Sequence, residues 1–400
     1  MPTDEDISYL RRALRLAMNG RGAVEPNPMV GCVIVRDGRV IGEGYHAKFG
    51  SIHAEPAALS ACSEPPEGAT VYVTMEPCCH TNKKTPPCAP RLIEAKVRRV
   101  VFGCMDPNPD VNGRGAAMLA SAGVEIDGPA LDAECKQLNA AFFKGTVHQR
   151  PYVTLKWAQT ADGKVAGAGG RKQWISNPRA TRAIHELRAR CDSILVGIGT
   201  VLNDDPLLTS RGVVGARPLR RAVLDTNLRL PLESQLAHTG AGEVVIFCSR
   251  DAYRQSPRVA ELQRLGIDVV PVKSHPRGGV ALDDVLFDLD NWGEHVLVEA
   301  GPTLARSFME QGLADRVWVI HSPTRMDDGT APTAAQVDYP VAAEADLDGD
   351  RVVEYLNPDS PVFFAAVPSA DFVRVTEDPR SAREEKGMFS PSPLEARAQT

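Results

Sequence analysis

Three short segments constrain this chain more than anything else in it: His53-Ala54-Glu55, Pro77-Cys78-Cys79-His80 and Pro87-Cys88. One imidazole and two thiolates can hold Zn²⁺ and leave its fourth position open for water. Zinc lowers the pKa of that water to roughly 7. Glu55, beside the histidine but not itself a ligand, can then move protons to and from the reacting groups. His53 opens a predicted helix running to about Cys62. Pro87-Cys88 opens another, through about Arg98. Helix N-termini favour negative charge and lower a thiol's pKa, so this placement supports the metal reading independently of the motif.

A histidine and glutamate in H-x-E, followed by P-C-x-x-C, is the signature of zinc deaminases that act on nucleobases. This chain departs from it in one way: the second cysteine lies ten residues after Cys78, not three. The insert from Cys79 to Pro87 carries two lysines and runs into Thr85-Pro86-Pro87-Cys88. We expect it to touch substrate. Cys79 is a rival ligand, and Cys78 is preferred because it directly follows Glu76-Pro77. A purely structural zinc site would leave Glu55 without a role.

Four hundred residues suggest two or three domains. A net charge of −6 argues against DNA or RNA as partner, though a local basic pocket can still hold a small phosphate. Nine cysteines, an odd number, fit a reducing compartment and metal use better than disulfides. The acidic start is not signal-like, and no apolar run reaches the ~18 residues a bilayer needs. The expectation is a cytoplasmic protein with no membrane or nucleic-acid partner.

Thr3-x-x-Asp6 reads as a capping box, with Ile7, Leu10, Leu14 and Ala17 at helical spacing behind it. Val30–Val35 and Val40–Tyr45 read as strands joined by the Asp37-Gly38 turn. Ala69–Glu76 and Val100–Cys104 follow as further strands. Near residues 144–151 the texture changes. Beyond lie strands at 152–157, 193–196, 221–224, 243–247, 269–272, 295–299 and 316–320, with helical stretches between several of them, an α/β pattern with its own core. The division is therefore 1–146, 150–372, and a polar tail over 373–400, rich in Pro, Ser, Arg and Glu, whose composition predicts disorder.

The first part resembles the deaminase domain of the bifunctional riboflavin-biosynthesis deaminase/reductase family. The resemblance rests on Pro26-Asn-Pro-Met-Val-Gly31, Gly42-Glu-Gly-Tyr-His46, His53-Ala-Glu55, Glu76-Pro-Cys78, Thr85-Pro-Pro-Cys88 and Asp106-Pro-Asn-Pro109, and covers nearly all of residues 5–128. It implies a cytidine-deaminase-like three-layer α/β/α domain acting on a diaminopyrimidinone that carries a phosphoribosylamino group. By it, His53, Cys78 and Cys88 hold Zn²⁺ and Glu55 is the proton shuttle. Asn27, His46, Lys84, Asp106 and Asn108 line the substrate pocket.

The second part has no G-x-G-x-x-G after its strands, so a standard Rossmann site is not supported. Lys156, Arg188, Asp204-Asp205, Arg211 and Glu299 stand out near strand ends. Pro151–Thr160, Asp162-Gly-Lys, Trp174-Ile-Ser, Leu187-Arg-Ala, Val196–Pro206 and Glu299-Ala-Gly-Pro-Thr303 are similar to the same family's reductase domain. That implies a dihydrofolate-reductase-like α/β fold using NADPH to reduce the ring-opened ribosyl group to ribityl. By the resemblance, Lys156, Ala158, Trp174, Ser176, Thr200, Asp204, Gly301, Pro302 and Thr303 meet NADPH. Arg188, Leu208, Arg211 and Glu299 meet the sugar phosphate. It also implies a homo-oligomer, dimer or tetramer. Three features depart from the family: Lys172 replaces a usual serine, Ala300 a usual glycine, and the segment after Ile320 lacks the usual apolar, Gly-rich ending. The competing reading is an active deaminase with a non-catalytic C-terminal half.

Overall fold

The computed structural model describes residues 1–376, apart from 82–84, 171–172, 214–218 and 240–242. Helix α1 (Asp4–Ala17) begins as the sequence predicts. The Thr3 hydroxyl accepts from the Asp6 amide at 3.2 Å, and the Asp6 carboxylate accepts from the Thr3 amide at 2.7 Å. This reciprocal pair satisfies amides that the first turn leaves without partners.

Among the described residues the strands form two sheets. The first has the order β2-β1-β3-β4-β5, from β1 (Gly31–Arg36), β2 (Arg39–Tyr45), β3 (Thr70–Met75), β4 (Arg99–Cys104) and β5 (Glu125–Asp127). Strands β1 and β2 form the expected hairpin, with Asp37 and Gly38 both at positive φ. Strands β3, β4 and β5 run parallel. Side chains alternate across the sheet. Cys32, Ile34, Val71 and Val73 pack with Ala58, Leu92 and Leu119 of α2 (Ala54–Ser60), α3 (Cys88–Glu94) and α4 (Arg114–Ser121). Val33, Val35 and Tyr72 pack with Leu10, Cys135 and Phe143, from α1, α5 (Asp132–Leu138) and α6 (Ala140–His148). The result is three layers. Helix α3 stops at Glu94, short of the expected Arg98, because Lys96 takes a left-handed φ of 53° and turns the chain into β4.

The second sheet has the order β10-β9-β8-β7-β11-β6-β12-β14-β13. Its parallel strands are β6 (Tyr152–Gln159), β7 (Ser193–Gly197), β8 (Arg220–Leu224), β9 (Val244–Ser249), β10 (Asp268–Val272), β11 (His295–Glu299) and β12 (Arg316–His321). An antiparallel pair, β13 (Val341–Leu347) and β14 (Asp350–Leu356), extends one edge and was not foreseen. Both faces are covered: Ile246 and Cys248 of β9 lie in one core, Val245 and Phe247 in the other.

After β14 the chain crosses back to the first sheet. Val362 joins that domain's core, and the Phe364 and Ala365 amides donate to Gln137 Oε1 at 3.0 and 3.3 Å. Residues 370–376 then form a helix, Ala370–Thr376. Thus 373–376, expected to begin a polar tail, complete a helix; 377–400 lie outside the described residues.

Candidate functional site

The first site is assembled where β3 ends and two helices begin. His53 is the N-cap of α2, so Glu55 falls in its first turn. Cys88 is the first residue of α3, whose Cys88 and Ala89 amides both donate to Cys78 O, at 3.0 and 3.1 Å. That backbone clasp closes the insert and sets the two cysteines side by side. Glu76, buried at the end of β3, accepts from the Gly113 and Ala116 amides, both at 3.0 Å. It braces the strand end against the start of α4; the sequence offered it only as part of Glu76-Pro-Cys78, with no sign of this role.

His53 Nδ1 lies 3.6 Å from Cys78 Sγ and 3.4 Å from Cys88 Sγ, and the three candidate ligand atoms all fall within 4.8 Å of one another. Cys79 points elsewhere, its Sγ 3.7 Å from Asp110 O. Thr85, a residue not singled out beforehand, places its Oγ1 3.0 Å from His53 Nε2. With Nε2 engaged, Nδ1 is the nitrogen left facing the sulfurs. One nitrogen and two sulfurs converging, with the histidine's far side held by a hydroxyl, fit a zinc ion. Glu55 is buried, and burial together with nearby Cys78 pushes its carboxyl above its ordinary value.

A cavity of about 330 Å³ opens over this cluster. Asn27, His46, Asp106 and Asn108 line it, as do Phe49, His80, Thr85 and Phe142. His46 is buried; its ring faces that of His53 at 5.3 Å, its Nδ1 meets Ile52 O at 3.0 Å, and its Nε2 meets Asn27 Nδ2 at 3.1 Å. Asp106 Oδ1 accepts from the Asn108 amide at 2.8 Å, which shapes the turn holding both. Lys84 lies outside the described residues.

A second site lies at the C-terminal ends of the parallel strands, where open α/β sheets bind their ligands. Lys156 and Glu299 are direct cross-strand partners in β6 and β11. Arg188, the last residue of α7 (Pro178–Arg188), forks onto Glu299, Nε to Oε1 at 2.6 Å and Nη2 to Oε2 at 2.8 Å. Burial pushes the Glu299 carboxyl up, but Arg188 and Lys156 outweigh it and leave it at about 2. Ala158 lies farther along β6. Thr200 and Asp204 lie on α8 (Ile198–Asp204), which starts directly after β7. Gly301 is the N-cap of the helix Pro302–Glu310, which contains Thr303 and has no side-chain cap. Gly197, Gly199 and Gly301 all face open space. Uncapped helix amides beside open glycines fit the phosphates of a dinucleotide.

Other expectations meet a different geometry. Leu208 is buried in the core at φ 52°, so its side chain packs inward and only its backbone remains for a ligand. Trp174 is 75 % exposed, with Ser176 partly buried two residues on; the tryptophan lies neither in the core nor enclosed by the crevice. Arg211 is exposed, and its amide donates to His185 Nδ1 at 3.3 Å. The methyl of Ala300 packs against the core. Lys172 is outside the described residues. The unusual segment after Ile320 docks on the Asp162-Gly163-Lys164 turn: Asp162 accepts from the Met326 and Asp327 amides at 3.1 and 2.9 Å, and Val165 N donates to Pro332 O.

Comparison with known proteins gives each half a family match. Residues 3–104 match the cytidine and deoxycytidylate deaminase zinc-binding region, and residues 151–338 match the RibD C-terminal domain. Over 332 residues the chain is 41% identical to riboflavin biosynthesis protein RibD of Actinobacillus pleuropneumoniae, covering 83% of this chain and 87% of that one. It is 39% identical to RibD of Escherichia coli, over 80% of this chain and 88% of that one. The solved structure of Acinetobacter baumannii RibD superposes with a TM-score of 0.77 at 33% identity, covering 88% of this chain and 98% of that one. A deaminase/reductase structure from Thermotoga maritima gives 0.74 at 32%, covering 88% and 99%. Among the described residues no helix is long and apolar enough to cross a membrane.

Proposed function

The chain belongs to the RibD family, the bifunctional deaminase/reductases of riboflavin biosynthesis, and from that premise we propose a role for each of its two sites. The observation that carries the reading of the first is the convergence of His53 Nδ1, Cys78 Sγ and Cys88 Sγ beneath a cavity, with a buried carboxyl two residues from the histidine. Zinc held there supplies an activated water at neutral pH. Glu55, buried two residues from His53, would take a proton from the attacking water and return one to the departing ammonia. Thr85 keeps His53 turned with Nδ1 inward. The substrate is a diaminopyrimidinone ribosyl phosphate, the class named for the Thermotoga maritima relative. Asn27 and His46, already hydrogen-bonded to each other, offer the paired donor and acceptor that an aminopyrimidinone edge needs, and Asp106 and Asn108 line the same cavity. Lys84 is assigned the phosphate.

In the second site NADPH supplies the hydride. Lys156, Ala158, Trp174, Ser176, Thr200, Asp204 and the Gly301-Pro302-Thr303 helix start are assigned to holding it. Arg188, Arg211, Glu299 and the Leu208 backbone are assigned to the ribosyl phosphate, since arginine forks suit phosphate oxygens and a carboxylate accepts from ribose hydroxyls. Both domains are present, which favours two activities over a deaminase with an inert second half. A homo-oligomeric, cytoplasmic enzyme completes the reading. The test supplies each half separately. Ammonia release from the diaminopyrimidinone is expected to vanish on chelation and return with zinc. NADPH oxidation with the deaminated compound is expected to survive chelation. Chelation-insensitive ammonia release would refute the zinc assignment.

A further inference from the structure

Arg21, in the loop after α1, reaches out of the deaminase domain and pairs with Asp371 of the C-terminal helix. Asp371 is fully buried. Arg316 Nη2 also meets it at 2.8 Å and Arg190 Nη1 at 3.7 Å. Arg316 opens β12 and Arg190 precedes β7, so both stand at the N-terminal ends of the reductase strands. Lys156 and Glu299 are toward the opposite end of that sheet. Burial pushes the Asp371 carboxyl up, but Arg21, Arg316 and Arg190 outweigh it and hold it well below the usual carboxylate range. Among the described residues two of its three ion-pair partners come from the reductase domain, so Asp371 is an anchor fixed by that domain, to which the deaminase domain adds Arg21.

What Arg21 anchors is the loop that carries Asn27. At the loop's far end, the Met29 amide donates to Asn139 Oδ1 at 2.8 Å and Met29 O accepts from Asn139 Nδ2 at 3.0 Å. Between these ties the loop has bonds of its own, Gly22 N to Glu25 Oε1 at 2.9 Å and Asn27 N to Val24 O at 3.0 Å, and two links to the pocket wall, Phe49 N to Ala23 O at 2.8 Å and Asn27 Nδ2 to His46 Nε2 at 3.1 Å. Beneath it a cavity of about 50 Å³ remains, lined by Arg21, Asn27 and Met29 on one side and by Arg190, Arg316 and Asp371 on the other. Val24 and Met29 pack with Ala17 and Ala370, whereas Arg21, Glu25 and Asn27 border the void, where partner atoms are missing. On that side of the loop the polar tie at Arg21 takes the place of packing.

We propose that Arg21 is a positioning residue for deamination: anchored on Asp371 of the reductase half, it holds the 21–29 loop so that Asn27 meets the substrate. The inference rests on Asn27 being a substrate-binding residue. It makes the deaminase pocket depend on the reductase domain although the two sites share no side chain.

The test uses full-length, zinc-loaded protein. Arg21→Met leaves Asp371 paired with Arg316 and Arg190, so its buried carboxylate still has two cations. The deaminase KM is expected to rise on the order of five- to tenfold with kcat within about twofold, the pattern of lost binding rather than lost chemistry. Zinc content and reductase kcat/KM stay unchanged, and Arg21→Lys, which keeps a cation, recovers part of the KM. Asn27→Ala is measured alongside. If Asn27→Ala raises KM and Arg21→Met does not, the inference is overturned while the pocket reading stands. If neither changes KM, the pocket reading of Asn27 is what failed, and the inference falls with it. If Arg21→Met lowers both activities in proportion, Arg21 merely supports the fold and the proposal is wrong.

Discussion

Arg188 and Glu299 meet fork to fork across the reductase crevice, at 2.6 and 2.8 Å, although 111 residues separate them in the chain. Both are proposed substrate-binding residues, and without substrate each is the other's partner. Their side chains are only 12 and 16 % exposed, so neither charge is well solvated alone. A ribosyl phosphate must therefore share this pair or displace it, whereas the Arg211 side chain can turn without breaking a buried contact.

The pair makes stability depend on acid pH. Glu299 sits at about 2 in the folded chain against an ordinary 4.5. A carboxyl lowered on folding contributes stability that is complete above the unfolded value and is lost as pH falls through the folded one. The reductase half is therefore expected to lose stability between about pH 4.5 and 2. Asp6 and Asp371 are lowered in the same direction and add to the slope, so the informative quantity is the difference from Glu299→Gln. Thermal unfolding midpoints of that variant should fall less steeply over the window. Parallel curves would show that Glu299 carries no such linkage.

At the first site, ligand and shuttle separate by metal content. His53→Ala and Cys88→Ser should each lose zinc and deamination together, with NADPH oxidation of supplied deaminated substrate intact. Glu55→Gln should keep zinc and lose deamination by about 10²- to 10⁴-fold, the usual contribution of a positioned general acid–base. Zinc loss in the Glu55 variant, measured by elemental analysis, would move Glu55 from shuttle to ligand.

Thr85 supplies a subtler check. Its hydroxyl is the group on His53 Nε2, and removing such an orienting partner typically costs about 10- to 100-fold in metal affinity. Thr85→Val, nearly the same size, should weaken zinc binding by that factor in a competition titration with a chelator. Unchanged affinity would mean that the hydroxyl does not orient the ring.

The first domain was legible because its chemistry is local. Each candidate ligand lies within a few residues of a helix start or a strand end, and hairpin and capping signals agree with the hydrophobic period. What stayed hidden depends on distant partners. Strand β13 carries Glu344 and Asp346 and lies at a sheet edge, so its pattern is polar and reads as loop. Asp371, at the end of the segment read as the second domain, shows no role until Arg21, Arg190 and Arg316 are brought around it. Leu208 was read as a ligand contact; its side chain packs in the core with φ at 52°, which sequence does not report for leucine, so the backbone is what remains for that role. Thr85 was visible only as a letter in Thr-Pro-Pro-Cys, because its role is a hydrogen bond to a residue 32 positions away.

The most direct test of the account follows both reactions in one vessel: the diaminopyrimidinone ribosyl phosphate, zinc-loaded protein and NADPH, with ammonia and nicotinamide absorbance recorded together. The account predicts that ammonia appears first and NADPH is consumed after it, and that without NADPH ammonia still appears. NADPH consumption that precedes ammonia, or no ammonia from folded, zinc-loaded protein, would contradict it.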